Sequence, residues 1–224
     1  MTNLIFDYDG TLHNCLKIYK PAFLKAYDWL VENGYAEPRT FSDYEIGYWL
    51  GFSGNDMWTM FQPKLPQDKR DICREIIGNE MGALCDAGEA ELFSGAEEAL
   101  ALLKEKGHTL IFLSNCRVKY QQRHNEMFRL DRFFDHFYCA EAYDFIPKYE
   151  IFRRFRSQHN GNFIVIGDRF HDMETASKNG LKAIGCAYGY GNAEELKAAD
   201  MIVNSVTEIP SAVELLSRTF STKG

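Results

Sequence analysis

Residues 4–12, Leu4-Ile5-Phe6-Asp7-Tyr8-Asp9-Gly10-Thr11-Leu12, constrain this chain more than any other stretch, because an apolar run ends abruptly in two carboxylates and a glycine. Leu4, Ile5 and Phe6 read as a short strand buried on both faces, and Gly10 opens a loop at its end. In an open α/β sheet, ligands bind just beyond the C-terminal ends of the strands, so Asp7 and Asp9 stand at the mouth of a site. A strictly extended chain would send two residues of this spacing to opposite faces. A turn beginning at Asp9, which Gly10 permits, lets the second carboxylate swing back beside the first. Two neighbouring carboxylates repel unless a cation lies between them or one takes a proton. The pair therefore suits a hard metal ion, or a nucleophile with an acid/base partner; the simpler alternative is an Asp/Gly turn with no chemistry.

The rest of the chain is arranged around this strand. From Leu16 to Val31 apolar residues recur at helical spacing, Phe41 to Met60 reads as short helices broken at Gly51-Phe52-Ser53-Gly54, and Pro66 opens a helix to about Cys85. Residues 15–89 thus form a helical block with no strand candidate. At Ser94-Gly95-Ala96-Glu97 a capping box starts a helix that Gly107 ends. Thr109–Leu113, the aromatic run Phe133–Cys139, Phe163–Ile166, Lys182–Ala187 and Met201–Val203 are strand candidates, separated by helices over Lys119–Leu130, Tyr149–Ser157 and the stretch to Asn179-Gly180. A short helix at Glu194–Ala198 and a final helix through Leu216 complete the expectation. Alternating strands and helices mean βαβ units. The fold class is therefore α/β: a Rossmann-like parallel sheet with helices on both faces, formed by residues 1–14 and 90–224, plus a small all-helical domain over residues 15–89.

At 46% hydrophobic and 14% aromatic, the 224 residues have ample material for a core. A formal charge of −7 excludes a general nucleic-acid or anionic-membrane binder. A phosphate ester remains open as a substrate, since a bound divalent cation dominates the local field. No stretch reaches the length of a membrane span, and the chain runs straight into Asp7 with no room for a secretory signal. Six scattered cysteines without a CxxC pair read as reduced thiols. The expectation is a cytoplasmic protein, monomer or homodimer, with a small-molecule partner, no nucleic acid and no membrane.

Three strand candidates end in reactive polar residues: Asp7/Asp9, Ser114-Asn115 and Gly167-Asp168. In a parallel sheet these ends share one edge. Asp168 and Asp172 lie four apart, so both face the crevice if a helix begins between them. With Asp7 and Asp9 they form an oxygen-rich cluster that suits Mg²⁺ better than zinc or copper. Other readings remain open for Asp172 (a helix N-terminal charge), Ser114 (a helix cap) and Lys148 (a solvated lysine). His171 reads as a helix-surface residue, Cys116 as a buried thiol, and Gly185, Gly189 and Gly191 as turn glycines at the rim of the site. In the helical block, the glycine-flanked stretch with Ser53, Asn55 and Trp58 is the candidate substrate-binding loop, and packing inside the block is the alternative for Trp58.

Asp7-Tyr8-Asp9-Gly10-Thr11-Leu12 resembles the first motif (DxDGTL) of the haloacid dehalogenase-like (HAD) hydrolase superfamily. Ser114 after Ile111-Phe112-Leu113 is similar to its second motif, Lys148 to its third, and Gly167-Asp168-Arg169-Phe170-His171-Asp172 to its fourth (GDxxxD), with Arg169 where Ser or Thr is common. The order of the motifs and the helical block after the first resemble subfamily I members with a helical C1 cap, the phosphoglycolate phosphatase and β-phosphoglucomutase kind. The resemblance implies an Mg²⁺-dependent phosphatase acting on a small phosphorylated metabolite. In that scheme Asp7 is the nucleophile that forms an aspartyl-phosphate, and Asp9 is the acid and base. Ser114 and Lys148 bind phosphoryl oxygens, with Asn115 nearby for the substrate. The metal is held by Asp7, Asp9 through its backbone carbonyl and Asp168, with Asp172 orienting these ligands. A phosphomutase of the β-phosphoglucomutase kind is the second reading. A 2-haloacid dehalogenase is the third, with no use for Asp9. A phospho-accepting signalling module would lack the helical block.

Overall fold

The strand that carries Asp7 is flanked on both sides, and this follows from its three large apolar residues, which need cover on both faces. The computed structural model describes residues 2–221. In chain order the elements are β1 (Asn3–Phe6), α1 (Leu16–Glu32), α2 (Asp43–Gly47), α3 (Gly54–Phe61), α4 (Gln67–Asp86), α5 (Ala96–Glu105), β2 (Thr109–Ser114) and α6 (Val118–Phe128). They continue with β3 (His136–Cys139), α7 (Lys148–Phe155), β4 (Phe163–Gly167), α8 (Phe170–Ser177), β5 (Lys182–Cys186), β6 (Met201–Val203) and α9 (Ile209–Ser221). The described chain separates into two compact units, His13–Glu91 and the segments on either side of it.

The flanking segments form one parallel sheet in the order β3-β2-β1-β4-β5-β6. After β1 the chain steps outward through β2 to β3, then returns to the other side of β1 at β4. The crevice at this reversal is where such sheets bind ligands. Successive strand residues point to opposite faces, and the core divides accordingly. Leu4, Phe6, Leu110, Phe112, Ile164 and Ile166 pack under α5 and α9. Ile5, Ile111, Leu113 and Val165 pack under α7 and α8, against Ile151, Phe152, Phe155, Met173 and Ala176. The sheet is therefore covered on both faces, as the near-continuous apolar runs require.

Three local expectations are corrected. The capping box at Ser94 does not form, because the residue before α5 is Gly95 in a left-handed conformation (φ +88°) with no side-chain cap. A side chain at Gly95 would run into Thr207, so close approach rather than capping sets this start. β3 begins only at His136, since Phe133 and Phe134 follow a 3₁₀ turn and drop into the core beneath β1 and β2. Residues 194–198 are turns rather than a helix. There the Asn192 side chain accepts the Glu195 N–H, and the Glu195 carboxylate is drawn to Arg169.

In the unit His13–Glu91, α1 packs against α4 around an aromatic cluster. Phe23 sits at its centre, fully buried, with ring centroids 5.1 Å from Phe41, 5.5 Å from Phe61 and 6.5 Å from Trp58. Ser42 and Glu45 cap α2 reciprocally, and Ser53 caps α3 by accepting the Asp56 N–H. All three tryptophans, Trp29, Trp49 and Trp58, lie in this unit, so tryptophan fluorescence reads it alone. Phe23→Ala is expected to cost about 3–5 kcal/mol, the usual range for emptying an aromatic site in a core. Urea denaturation followed by tryptophan emission would show this as an early transition, and an unchanged midpoint would contradict the packing described.

Candidate active site

Register brings the reactive strand ends together. Phe6 lies opposite Phe112 in β2 and Ile166 in β4, so Asp7, Ser114 and Asp168 emerge side by side from three adjacent strands. The Asp7 N–H donates to the Ile166 carbonyl at 2.9 Å, which carries the pairing one residue past β1 and fixes where its side chain leaves the sheet. Asp7, Ser114, Lys148, Asp168 and Asp172 are all buried.

Lys148, the first residue of α7, joins two of the carboxylates. Its Nζ lies 2.7 Å from Asp7 Oδ1 and 2.8 Å from Asp172 Oδ1. Asp172 also accepts the Arg169 N–H through Oδ2 at 3.1 Å, so one carboxylate caps α8 and holds the lysine. Asp168 is gripped by two donors: Thr11 Oγ1 reaches its Oδ1 at 3.2 Å and the Tyr190 N–H reaches its Oδ2 at 2.8 Å. Space around Asp168 is tight. A side chain at Gly189 would overlap it, and so would one at Gly10, whose φ of +84° already favours glycine.

Carboxylate oxygens of Asp7, Asp168 and Asp172 lie within 4.8 Å of one another. Burial first, and the charge of Asp172 second, push the Asp7 carboxyl well above the ordinary carboxylate range, with Lys148 pulling against them. The same two causes push Asp168 up to about 7, against the Tyr190 N–H. Burial works against the Lys148 ammonium, but Asp172 and Asp7 outweigh it and hold the lysine charged. Burial and then Lys148 lower His171 to about 4. Three carboxylates and one ammonium leave two formal negative charges in a buried space, and one divalent cation balances them. An all-oxygen donor set suits a hard cation, so Asp7, Asp168 and Asp172 form a cluster able to hold a divalent metal ion.

Asp9 is turned elsewhere. Its Oδ1 accepts the Tyr120 O–H at 2.7 Å, and it is not one of the three clustered carboxylates. Asn115 is half-buried in the loop that follows β2. The candidates in the helical unit have local partners: the Ser53 hydroxyl donates to Asp56 Oδ2 at 2.7 Å, and Asn55 bonds Arg74. The Trp58 ring is fully buried, stacked with Phe23 and edge-on to Phe61 at 5.8 Å, so it is core of that unit rather than a presented surface.

Thr11, Tyr120, Tyr190, Arg169 and Glu195 were not singled out as site residues from the sequence. Arg169 is buried and pairs with Glu195 (Nε to Oε2, 2.9 Å), and the same Glu195 oxygen accepts the Phe170 N–H at 3.1 Å. The loop after β5 thus clasps the loop after β4. Its one legible signal was the alternation Gly189-Tyr190-Gly191, which allows close backbone approach.

Among the described residues no helix is long and apolar enough to cross a membrane. A 5′-nucleotidase of Pseudomonas aeruginosa is 32% identical over 114 residues, 49% of this chain and 52% of that protein, so the chain spans about half the length of this relative. The fold is shared with a crystal structure from Clostridium acetobutylicum described as a predicted phosphatase, with TM-score 0.81, 23% identity, and 96% and 98% of the two chains covered. It is also shared with one from Haemophilus somnus described as a predicted phosphoglycolate phosphatase, with TM-score 0.80, 20% identity, and 95% and 98% covered. The model of the family described as haloacid dehalogenase-like hydrolase matches residues 4–186. That match takes in β1 with its paired aspartates, Ser114, Lys148 and the Asp168–Asp172 loop, and the chain belongs to the haloacid dehalogenase-like hydrolase family.

Proposed function

We propose that this protein is an Mg²⁺-dependent phosphatase that hydrolyses a small phosphorylated metabolite through an aspartyl-phosphate on Asp7. The observation that carries the reading is the buried lysine shared by Asp7 and Asp172 beside Asp168, at the reversal point of the sheet. In this reading Asp7 and Asp168, with the Asp9 backbone carbonyl, hold the ion, and Asp172 orients them through Lys148 and the start of α8. When bound, the ion neutralises phosphoryl charge and holds Asp7 ionised.

The chain's own residues supply the rest. Lys148 keeps its charge in the buried site and faces the phosphoryl oxygens together with the Ser114 hydroxyl. An Asp7 oxygen attacks phosphorus as the bond to the leaving oxygen breaks, and Asp9 gives that oxygen a proton. Asp9 then takes a proton from water as the water oxygen attacks the same phosphorus, and Asp7 and inorganic phosphate are released. The requirement is alignment and charge balance more than covalent versatility.

Residues 13–91 are read as a substrate-selecting cap. With Trp58 in its core, Ser53 and Asn55 remain its polar candidates, and Asn115, in the loop after β2, is the candidate in the other unit. Free thiols at all six cysteines agree with a cytoplasmic setting. A nucleoside 5′-monophosphate belongs in any substrate panel because of the Pseudomonas relative, alongside sugar and organic-acid phosphates.

Asp7→Asn is expected to abolish turnover of p-nitrophenyl phosphate, by at least about 10³-fold, because the amide cannot serve as the nucleophile. The far-UV spectrum should be unchanged, and retained turnover would remove Asp7 from its role. A second expectation concerns the metal-free protein. Asp7 and Asp168 bind protons more tightly folded than unfolded, so their contribution to stability is fully present below about pH 4, and the part from Asp168 is lost as pH rises through about 7. In EDTA the melting temperature should fall between about pH 5 and about pH 8 more steeply than in Asp168→Asn. Mg²⁺ should restore the wild type most at the higher pH. Identical pH profiles for the two proteins, with no Mg²⁺ response, would contradict a charge-balancing site.

A further inference from the structure

Asp9 is the residue to which the proposed reaction assigns both proton transfers, and its carboxylate is held from outside the charged cluster. Tyr120 sits in the first turn of α6, the helix that follows β2, and its O–H reaches Asp9 Oδ1 at 2.7 Å. The tyrosine ring is itself fixed. It packs on His124, one helical turn on, with centroids 4.1 Å apart, and lies edge-on to Tyr8 at 6.4 Å. His124 Nδ1 hydrogen-bonds the Tyr8 hydroxyl at 2.8 Å, and both residues are fully buried. Tyr8 is the residue between the two aspartates. Helix α6 therefore fastens the loop after β1 twice, at the Tyr8 side chain and at the Asp9 carboxylate.

We propose that Tyr120 is a positioning residue for this reaction: its hydroxyl fixes the orientation of the Asp9 carboxyl and the oxygen that carries the transferable proton. The proposal rests on the phosphatase reading above. In a protonated carboxyl, the carbonyl oxygen accepts a hydrogen bond while the other oxygen carries the proton. With Tyr120 donating to Oδ1, the proton belongs on Oδ2, and rotation of the carboxyl about its Cβ–Cγ bond is restrained. An acid held in one geometry delivers its proton as the leaving bond breaks, whereas a freely rotating one must first find that geometry.

The test exploits the leaving group. A glycerol phosphate leaves as an alkoxide and needs the proton; 2,4-dinitrophenyl phosphate leaves as a stable phenolate and does not. In Tyr120→Phe, which keeps the ring and deletes one oxygen, kcat/KM for glycerol phosphate should fall about 10- to 100-fold, within the range that general acid catalysis supplies. For 2,4-dinitrophenyl phosphate it should stay within about 3-fold of wild type, since kcat/KM reports steps only as far as the phosphoenzyme. Asp9→Asn should show the same selectivity, more strongly. The ratio of the two rates in one preparation does not depend on how much of the protein is folded, so partial misfolding of the variant would leave the readout intact. Equal loss on both substrates, or no loss on either, in Tyr120→Phe while Asp9→Asn is selective would overturn the positioning role and leave the phosphatase reading standing. A wild type that turns over neither phosphate would overturn both.

Discussion

One buried ammonium organises the rim of this sheet. Lys148 touches Asp7 and Asp172 at once, so the first motif, at the end of β1, and the fourth, at the start of α8, are tied by a single side chain from α7. Removing one partner from such a buried cluster commonly costs about 3–5 kcal/mol, because the remaining charges have no water to turn to. The arrangement is also under-neutralised, with three carboxylates against one cation. A fold that needed only stability would have little reason to keep an excess of buried negative charge there. Burial first, and the charge of Asp172 second, raise the carboxyls of Asp7 and Asp168.

The surrounding packing makes the cluster possible. Asp168 has donors on both oxygens, from Thr11 and from the Tyr190 backbone, and a side chain at Gly10 or Gly189 would overlap it. Arg169 and Glu195, both buried or nearly so, lock the loops after β4 and β5 to each other. The charge of Arg169 is paired with Glu195, and it also draws the Asp168 carboxyl downward, against burial and Asp172. The arginine at this position, where Ser or Thr is common in proteins of this kind, therefore has a specific partner in this chain.

Much of this was legible in the sequence, for a simple reason. Apolar runs that end in Asp or Ser mark strand C-termini, and a parallel sheet must bring those termini to one edge, so Asp7, Ser114 and Asp168 could be grouped without coordinates. Asp172 had two competing readings, cap or site; one of its oxygens accepts the Arg169 N–H at the helix start and the other meets Lys148. What escaped had no local periodicity. Tyr190 contributes a backbone N–H, which residue type does not reveal, and Tyr120 matters only through the geometry with which α6 leaves β2. Ser94 showed a capping pattern, but Gly95 takes a left-handed conformation against Thr207 and the pattern is not used. Trp58 in a glycine-flanked stretch fitted either surface or interior, and the neighbouring Phe23 and Phe61 drew it inside.

The clasp between the β4 and β5 loops also bears on how short a working version of this chain can be. The family match stops at Cys186, and a protein cut there would still contain Asp7, Asp9, Asp168, Asp172, Ser114 and Lys148. It would have lost Tyr190 and Glu195, and with them the backbone donor on Asp168 and the counter-charge of Arg169. The carboxylate cluster thus leans on residues past the last recognisable motif, in a turn-rich segment whose one sequence cue is the pair of glycines around Tyr190.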